Sequence, residues 1–196
     1  MDHTLGELGE FALIGNITDD LPTDDRVPVG PGDDSAVVRI DGDLVVSTDT
    51  FVEGVHFRND WSLPHEIGQR AVGAAVADLI AMGARPVGLL VAFSGPADLA
   101  TSWVKQCTQG VKLEAAKSQI ALVGGDVTSG AHVVLNVTVL GDLSDREPIL
   151  RSGARPGDVV ALRGRLGWAA GGLLVLSRGF RSPRALVEAY KVPEVV

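Results

Sequence analysis

The chain has 196 residues, 45% of them apolar, with 17 basic and 25 acidic side chains and a formal charge of −8. That length makes one large domain or two small ones, and the negative field excludes a surface that tracks nucleic-acid phosphates. One cysteine, Cys107, permits no internal disulfide. The longest apolar runs fall far short of the roughly 20 residues that cross a bilayer. The acidic opening, Met1 to Glu10, does not read as a secretory leader. No nucleic acid, no membrane and a cytoplasmic setting are expected.

In chain order, Leu5 to Ile17 is helical by period, and Thr18 to Pro31 reads as polar loop. Ser35 to Ile40 and Asp43 to Ser47 are short β-branched runs about Asp41-Gly42, the signal of a hairpin. From Pro64 to Met82 the apolar residues Val72, Ala75, Val76, Leu79 and Ile80 form the stripe of a buried-face helix, with Pro at its start and Gly83 past its end. Val87 to Phe93 reads as a buried strand. Asp98 is expected to cap a helix that carries Leu99, Trp103, Cys107 and Val111 on one side. Ile120 to Val123 and His132 to Leu140 are the next strands. The order ββ-α-β-α-β-β predicts an α+β fold, a mixed or largely antiparallel sheet covered by two helices. A boundary falls near 145, giving an N-terminal domain over 1–144 and the beginning of a second α+β domain over 145–196. In that second part Val159 to Leu162 reads as a strand, Trp168 to Leu176 as helical, and Pro183 as a helix start.

Residues 1–60 hold 14 Asp or Glu against 3 Arg, so this third of the chain carries −11 and the rest +3. Several of these acids sit beside glycine or at the ends of apolar runs, where a site rather than a solvating tail is expected. Asp33 and Asp34 follow Gly32, and adjacent acids repel unless a cation intervenes. Asp49 lies in Ser47-Thr48-Asp49-Thr50, a cluster of hard oxygen ligands read as the end of a strand. Asp126 follows Gly124-Gly125, where glycines let a ligand approach the backbone. Asp78 has Ala74, Ala75, Ala81 and Met82 as its helical neighbours, so a buried, unpaired carboxylate is expected there unless a metal ion meets it. Oxygen donors without His or Cys clusters suit Mg²⁺, which commonly reaches protein through carboxylates and substrate phosphates. Neither a P-loop nor a Rossmann glycine motif occurs, so a bound nucleotide would be held through metal. His56 is the one histidine in a motif-like setting, and no nucleophile-base arrangement is evident.

Five strings, Gly32-Asp33-Asp34-Ser35-Ala36, Ser47-Thr48-Asp49-Thr50-Phe51-Val52-Glu53-Gly54-Val55-His56-Phe57, Ala77-Asp78-Leu79-Ile80-Ala81-Met82-Gly83-Ala84, Gly124-Gly125-Asp126-Val127-Thr128 and Arg151 to Asp158, occur in order. In that order and near-spacing the chain resembles the thiamine-monophosphate kinases of the aminoimidazole ribonucleotide synthetase superfamily. The second string is the specific one. The resemblance implies ATP-dependent phosphorylation of thiamine monophosphate to thiamine diphosphate, in a homodimer whose N-terminal sheets join into a barrel. It implies that Asp34, Ser47, Thr48, Asp49, Asp78 and Asp126 ligate several Mg²⁺ ions. Gly125, Asp126 and Arg151 would meet ATP, and His56 the thiamine phosphate. Two departures accompany it: Ala77 stands where the family commonly has Ser, and the family's second-domain D-x-S-D-G motif does not occur in these 196 residues. Competing readings are an inactive N-terminal fragment acting only as a nucleotide-binding or dimerisation module, and another ATP-using member of the superfamily.

Overall fold

The computed structural model describes residues 3–195. Its elements in chain order are α1 (Leu5–Leu8), α2 (Glu10–Thr18), β1 (Leu44–Val52), α3 (Pro64–Ala81), β2 (Arg85–Gly95), α4 (Thr101–Lys117), β3 (Ala121–Ser129), β4 (Val134–Asp142), α5 (Trp168–Ser177) and α6 (Arg184–Lys191). The strands form one mixed sheet in the order β1-β4-β2-β3; β4 is antiparallel to β1 and β2, and β3 is parallel to β2. Helices α3 and α4 cover one face, and the fold is α+β as the element order implied.

The apolar stripe of α3 does what its spacing requires: Ile67, Ala71, Val72, Ala75, Val76 and Leu79 are buried against the sheet, although Ile80 is 40% exposed. Pro64 opens the helix, and Glu66 accepts a 2.7 Å bond from the Leu63 N–H, satisfying one of the free donors of the first turn. Where α3 crosses α4, a Cβ on Gly68 would stand 2.1 Å from the Cys107 carbonyl oxygen, so glycine sets how closely the helices approach. Helices α5 and α6 build a smaller core from Leu176, Val187 and Tyr190, against which Trp61 packs.

Four local expectations are corrected. The Leu5 to Ile17 helix is broken at Gly9, whose φ of 78° no right-handed helix accommodates. Asp98 caps nothing: α4 begins at Thr101 after Ala100, because residues 97–101 are hydrogen-bonded to the N-terminal segment, with Leu5 N–H on the Leu99 carbonyl and Thr101 N–H on the His3 carbonyl. Val159 to Leu162 forms no strand, and Val159 and Val160 are 91% and 97% exposed. β-branched residues become a strand only when a neighbour takes their backbone groups, and no described segment does so here.

The fourth correction is the hairpin. Residues 35–40 contribute only an isolated bridge, Val29 to Val37, and β1 pairs with β4 instead. Asp142, the last residue of β4, has no accessible surface and redirects the turn. Its carboxylate accepts the N–H groups of Asp41 (3.2 Å), Gly42 (3.1 Å) and Ser144 (2.7 Å), and Arg85 Nη2 at 3.0 Å. Asp41-Gly42 is thereby tied to the end of the distant β4 rather than closing a local hairpin. Burial alone would push this carboxyl up; the bonds from Ser144, Asp41, Arg85 and Gly42 overcome it and hold the pKa at about 2.

A folded-state pKa below the unfolded value near 3.9 means that this stabilisation is fully present above about pH 4 and is lost as pH falls toward 2. Asp142→Ala should cost about 3 kcal/mol at pH 7, by urea unfolding, because four donors lose a buried acceptor. The gap between variant and parent should narrow between about pH 4 and pH 2; equal stabilities at pH 7 would contradict this role.

Candidate active site

Ser47, Thr48 and Asp49 lie inside β1, not at a strand end, so their side chains alternate between faces. Ser47 and Asp49 stand opposite Val139 and Val137, which are fully buried beneath the helices, and therefore point to the helix-covered face. There Ser47 Oγ donates a 2.7 Å bond to Asp78 Oδ2 on α3. Asp78 is exposed, correcting the expectation of a buried carboxylate: its small neighbours leave it open to water at the rim of the sheet. Partial burial, and then the charge of Asp78, push the Asp49 carboxyl above its usual range, with His56 opposing them.

His56 sits in the loop that leaves β1. Its Nδ1 accepts the Val52 N–H at 3.1 Å, its own N–H returns to the Val52 carbonyl at 2.8 Å, and its ring lies 5.7 Å from that of buried Phe51. With Nδ1 serving as acceptor, the neutral ring carries its proton on Nε2.

Thr48 is turned to the opposite face of the sheet. It pairs with Thr138 at 3.0 Å and donates to Asn136 Oδ1 at 3.0 Å, while Asn136 Nδ2 reaches Thr50 Oγ1 at 2.8 Å. This polar lattice was not legible in the sequence, because it depends on the β1–β4 register.

Asp126 lies within β3, at the other edge. The row Thr50, Asn136, Ala92, Asp126 runs straight across the sheet, so Asp126 shares a face with Thr48 rather than with Asp49. Three strand spacings, about 14 Å, separate the β1 and β3 edges. Asp126 and Gly125 line a cavity of about 630 Å³ together with Gly32, Asp33 and Asp34. Gly125 has a structural reason as well: a Cβ there would stand 2.1 Å from the Val91 carbonyl oxygen, so it lets the backbone of β2 approach.

Arg151 is exposed, two residues beyond Ile149, whose N–H bonds the Met82 carbonyl at 3.0 Å. That anchor holds the segment against the C-terminal end of α3, one turn from Asp78.

The expected residues thus fall into two groups. Ser47, Asp49, Asp78 and His56 gather at the β1 edge, and Asp34, Gly125 and Asp126 at the β3 edge; Thr48, on the opposite face of β1 from Ser47 and Asp49, and Arg151, beyond the end of α3, join neither group. Among the described residues no three His, Cys, Asp or Glu side chains are gathered closely enough to hold a metal ion within one chain. The donor chemistry nonetheless fits Mg²⁺: the carboxylates of Asp49 and Asp78 and the Ser47 hydroxyl are hard oxygen ligands, and a divalent cation would relieve the repulsion that Asp78 exerts on Asp49.

Residues 32–143, more than half of the chain, match the family described as AIR synthase related protein, N-terminal domain. The chain belongs to the AIR synthase-related family. Among other members, it is 40% identical over 192 residues to the thiamine-monophosphate kinase of Mycobacterium tuberculosis (strain ATCC 25618 / H37Rv), covering 97% of this chain and 58% of that protein. Of solved structures, thiamine monophosphate kinase from Aquifex aeolicus matches with a TM-score of 0.72 at 28% identity, over 97% of this chain and 62% of that one. AaThiL complexed with AMPPCP and TMP also matches at 0.72, with 32% identity over 98% and 62%. The AIR synthase-related chain therefore spans about three fifths of the length of these relatives. No helix among its described residues is long and apolar enough to cross a membrane.

The raised Asp49 carboxyl has a measurable sign. Folding disfavours its ionised form, so the cost is absent below the unfolded value near 3.9 and complete once pH exceeds the folded-state value. Asp49→Asn should raise the melting temperature at pH 7 in chelator by about 2 °C, and should abolish any further rise on adding Mg²⁺. A lower melting temperature in chelator would contradict the like-charge reading.

Proposed function

We propose that this chain carries the ATP- and Mg²⁺-binding domain of a thiamine-monophosphate kinase in residues 1–144, with residues 145–196 beginning a second domain. The reaction assigned is ATP-dependent phosphorylation of thiamine monophosphate to thiamine diphosphate by direct in-line transfer. The observation that carries this reading is Asp49 within reach of the charge of Asp78, itself hydrogen-bonded by Ser47, with His56 beside them, all drawn from the strings on which the resemblance to the kinases rests. The similarity to kinases so named, and to a structure holding AMPPCP and TMP, supports it.

The acceptor is a phosphate oxygen already ionised at neutral pH, so no side chain is assigned as base or nucleophile. What remains is positioning and neutralisation of charge. Asp34, Ser47, Asp49, Asp78 and Asp126 would hold the Mg²⁺ ions; the Thr48 hydroxyl, on the opposite face of β1 and engaged by Thr138 and Asn136, is left out of that set. Bound Mg²⁺ would supply neutralisation of the phosphates and of the charge that develops during transfer. Gly125 and Asp126 would meet ATP at the β3 edge, with Arg151 contributing a cation. His56, with Nδ1 engaged by Val52, offers Nε2–H to an anionic oxygen of thiamine monophosphate.

The homodimer belongs to the same proposal. Acidic groups on opposite edges of one sheet cannot close on a single nucleotide within a chain, whereas two copies can place the β1 edge of one beside the β3 edge of the other. Leu44 and Val46, 48% and 55% exposed on β1, are apolar surface that such a contact would cover.

Calorimetric titration with ATP should show binding that requires Mg²⁺ and falls at least tenfold in Asp78→Asn. Addition of thiamine monophosphate should then yield thiamine diphosphate. Mg²⁺-dependent nucleotide binding without product would favour the nucleotide-binding module, and undiminished binding in Asp78→Asn would defeat the site assignment.

A further inference from the structure

Arg70, on α3, is unusual among the charged side chains. Its Nη1 is buried and has no hydrogen-bond partner in the structure, while its guanidinium lies 4.2 Å from the centroid of the Tyr190 ring and 5.9 Å from that of Phe51. An orphaned buried nitrogen on a permanently charged group calls for a compensating interaction, and two aromatic faces provide one for a weakly hydrated guanidinium. Tyr190 is itself 4% exposed and meets Trp61 edge-on at 6.1 Å, so the α6 side of this contact is firmly packed. Nearby, Lys191 reaches Glu66 at 3.2 Å and Arg181 the Asp60 carbonyl at 3.1 Å, fixing α6 against the first turn of α3 and the loop before it.

The same guanidinium also borders Phe51, and Phe51 is the ring against which His56 packs. His56 has two restraints: the Val52 N–H on Nδ1 sets which nitrogen is left as donor, and the Phe51 ring limits how the imidazole can turn. Arg70 thus contacts the same ring that restrains His56.

We propose that Arg70 is a positioning residue: held between Tyr190 and Phe51, it fixes the surface on which His56 rests and so aims His56 Nε2–H at the phosphate of the acceptor substrate. Through this contact the α5–α6 pair, which contributes no ligand of its own to the site, bears on the orientation of a substrate-binding side chain. The inference rests on the assignment of His56 to thiamine monophosphate, but its first readout needs no ligand.

The experiment compares the full chain with Arg70→Met, which keeps the stem and removes the charge, and with Arg70→Lys, which restores a cation. Imidazole ¹H–¹⁵N spectra should show His56 with Nε2 protonated and with ring-current-shifted carbon-bound protons in the parent. In Arg70→Met those shifts should move toward the values of a freely turning histidine, and Arg70→Lys should recover them in part. Calorimetry should show about tenfold weaker thiamine monophosphate binding in Arg70→Met, with ATP binding in Mg²⁺ unchanged. If Arg70→Met does not fold, Tyr190→Phe and Tyr190→Leu replace it, since Phe keeps the aromatic face and Leu removes it; only Leu should disturb the His56 signals. Unaltered His56 signals in a folded Arg70→Met, or in Tyr190→Leu, overturn the proposal. Altered signals in a protein that binds no thiamine monophosphate would uphold the positioning of His56 while removing the substrate assignment.

Discussion

The strand order of the sheet constrains everything else in this molecule. With β4 and β2 in the middle, β1 and β3 become the two edges, and the acidic strings are delivered to opposite rims whatever their separation in sequence, Asp34 and Asp49 lying only 15 residues apart. Buried Asp142 enforces that order by gathering the turn before β1, the start of β2 and the end of β4 around one carboxylate. An acid with no part in the proposed chemistry thus fixes where the acids assigned to chemistry come to lie.

The β1 edge is a place where stability and function pull apart. Two carboxylates interact with each other, only Asp78 accepting a hydroxyl bond, and neither has a basic side chain within hydrogen-bond reach, an arrangement that a protein selected only to fold would not retain. Structural acids in the same chain are treated differently: Asp142 has Arg85, Asp24 has Arg26 and Asp60 has Arg58. The lack of such a cation at Asp49 and Asp78 is what makes them candidates for binding rather than for holding the fold.

Much of this organisation was legible in the sequence. The α3 stripe was visible because a long buried face leaves a 3.6-residue period, and the acidic strings were visible because their neighbours are glycines and β-branched residues. The Ser35 to Ser47 hairpin failed because Asp41-Gly42 is a good local turn signal with no means of announcing that its N–H groups belong to Asp142, a hundred residues away. Thr48 was grouped with Ser47 and Asp49 because they are adjacent in sequence, yet adjacency within a strand is what sends them to different faces. Arg70 carried no signal, since its meaning depends on two aromatic rings from β1 and α6. The division of the acids between two edges was likewise hidden, because strand order is a property of long-range pairing.

The central claim is that carboxylates from both edges meet on one metal-bound nucleotide when two copies associate. Anomalous diffraction from crystals grown with Mn²⁺ and AMPPCP tests it most directly. The account predicts manganese peaks within about 2.5 Å of the Asp49 and Asp78 oxygens, with Asp126 of a second copy facing the same triphosphate. Nucleotide and manganese bound away from Asp49 and Asp78, or at a site completed by one copy alone, would contradict it.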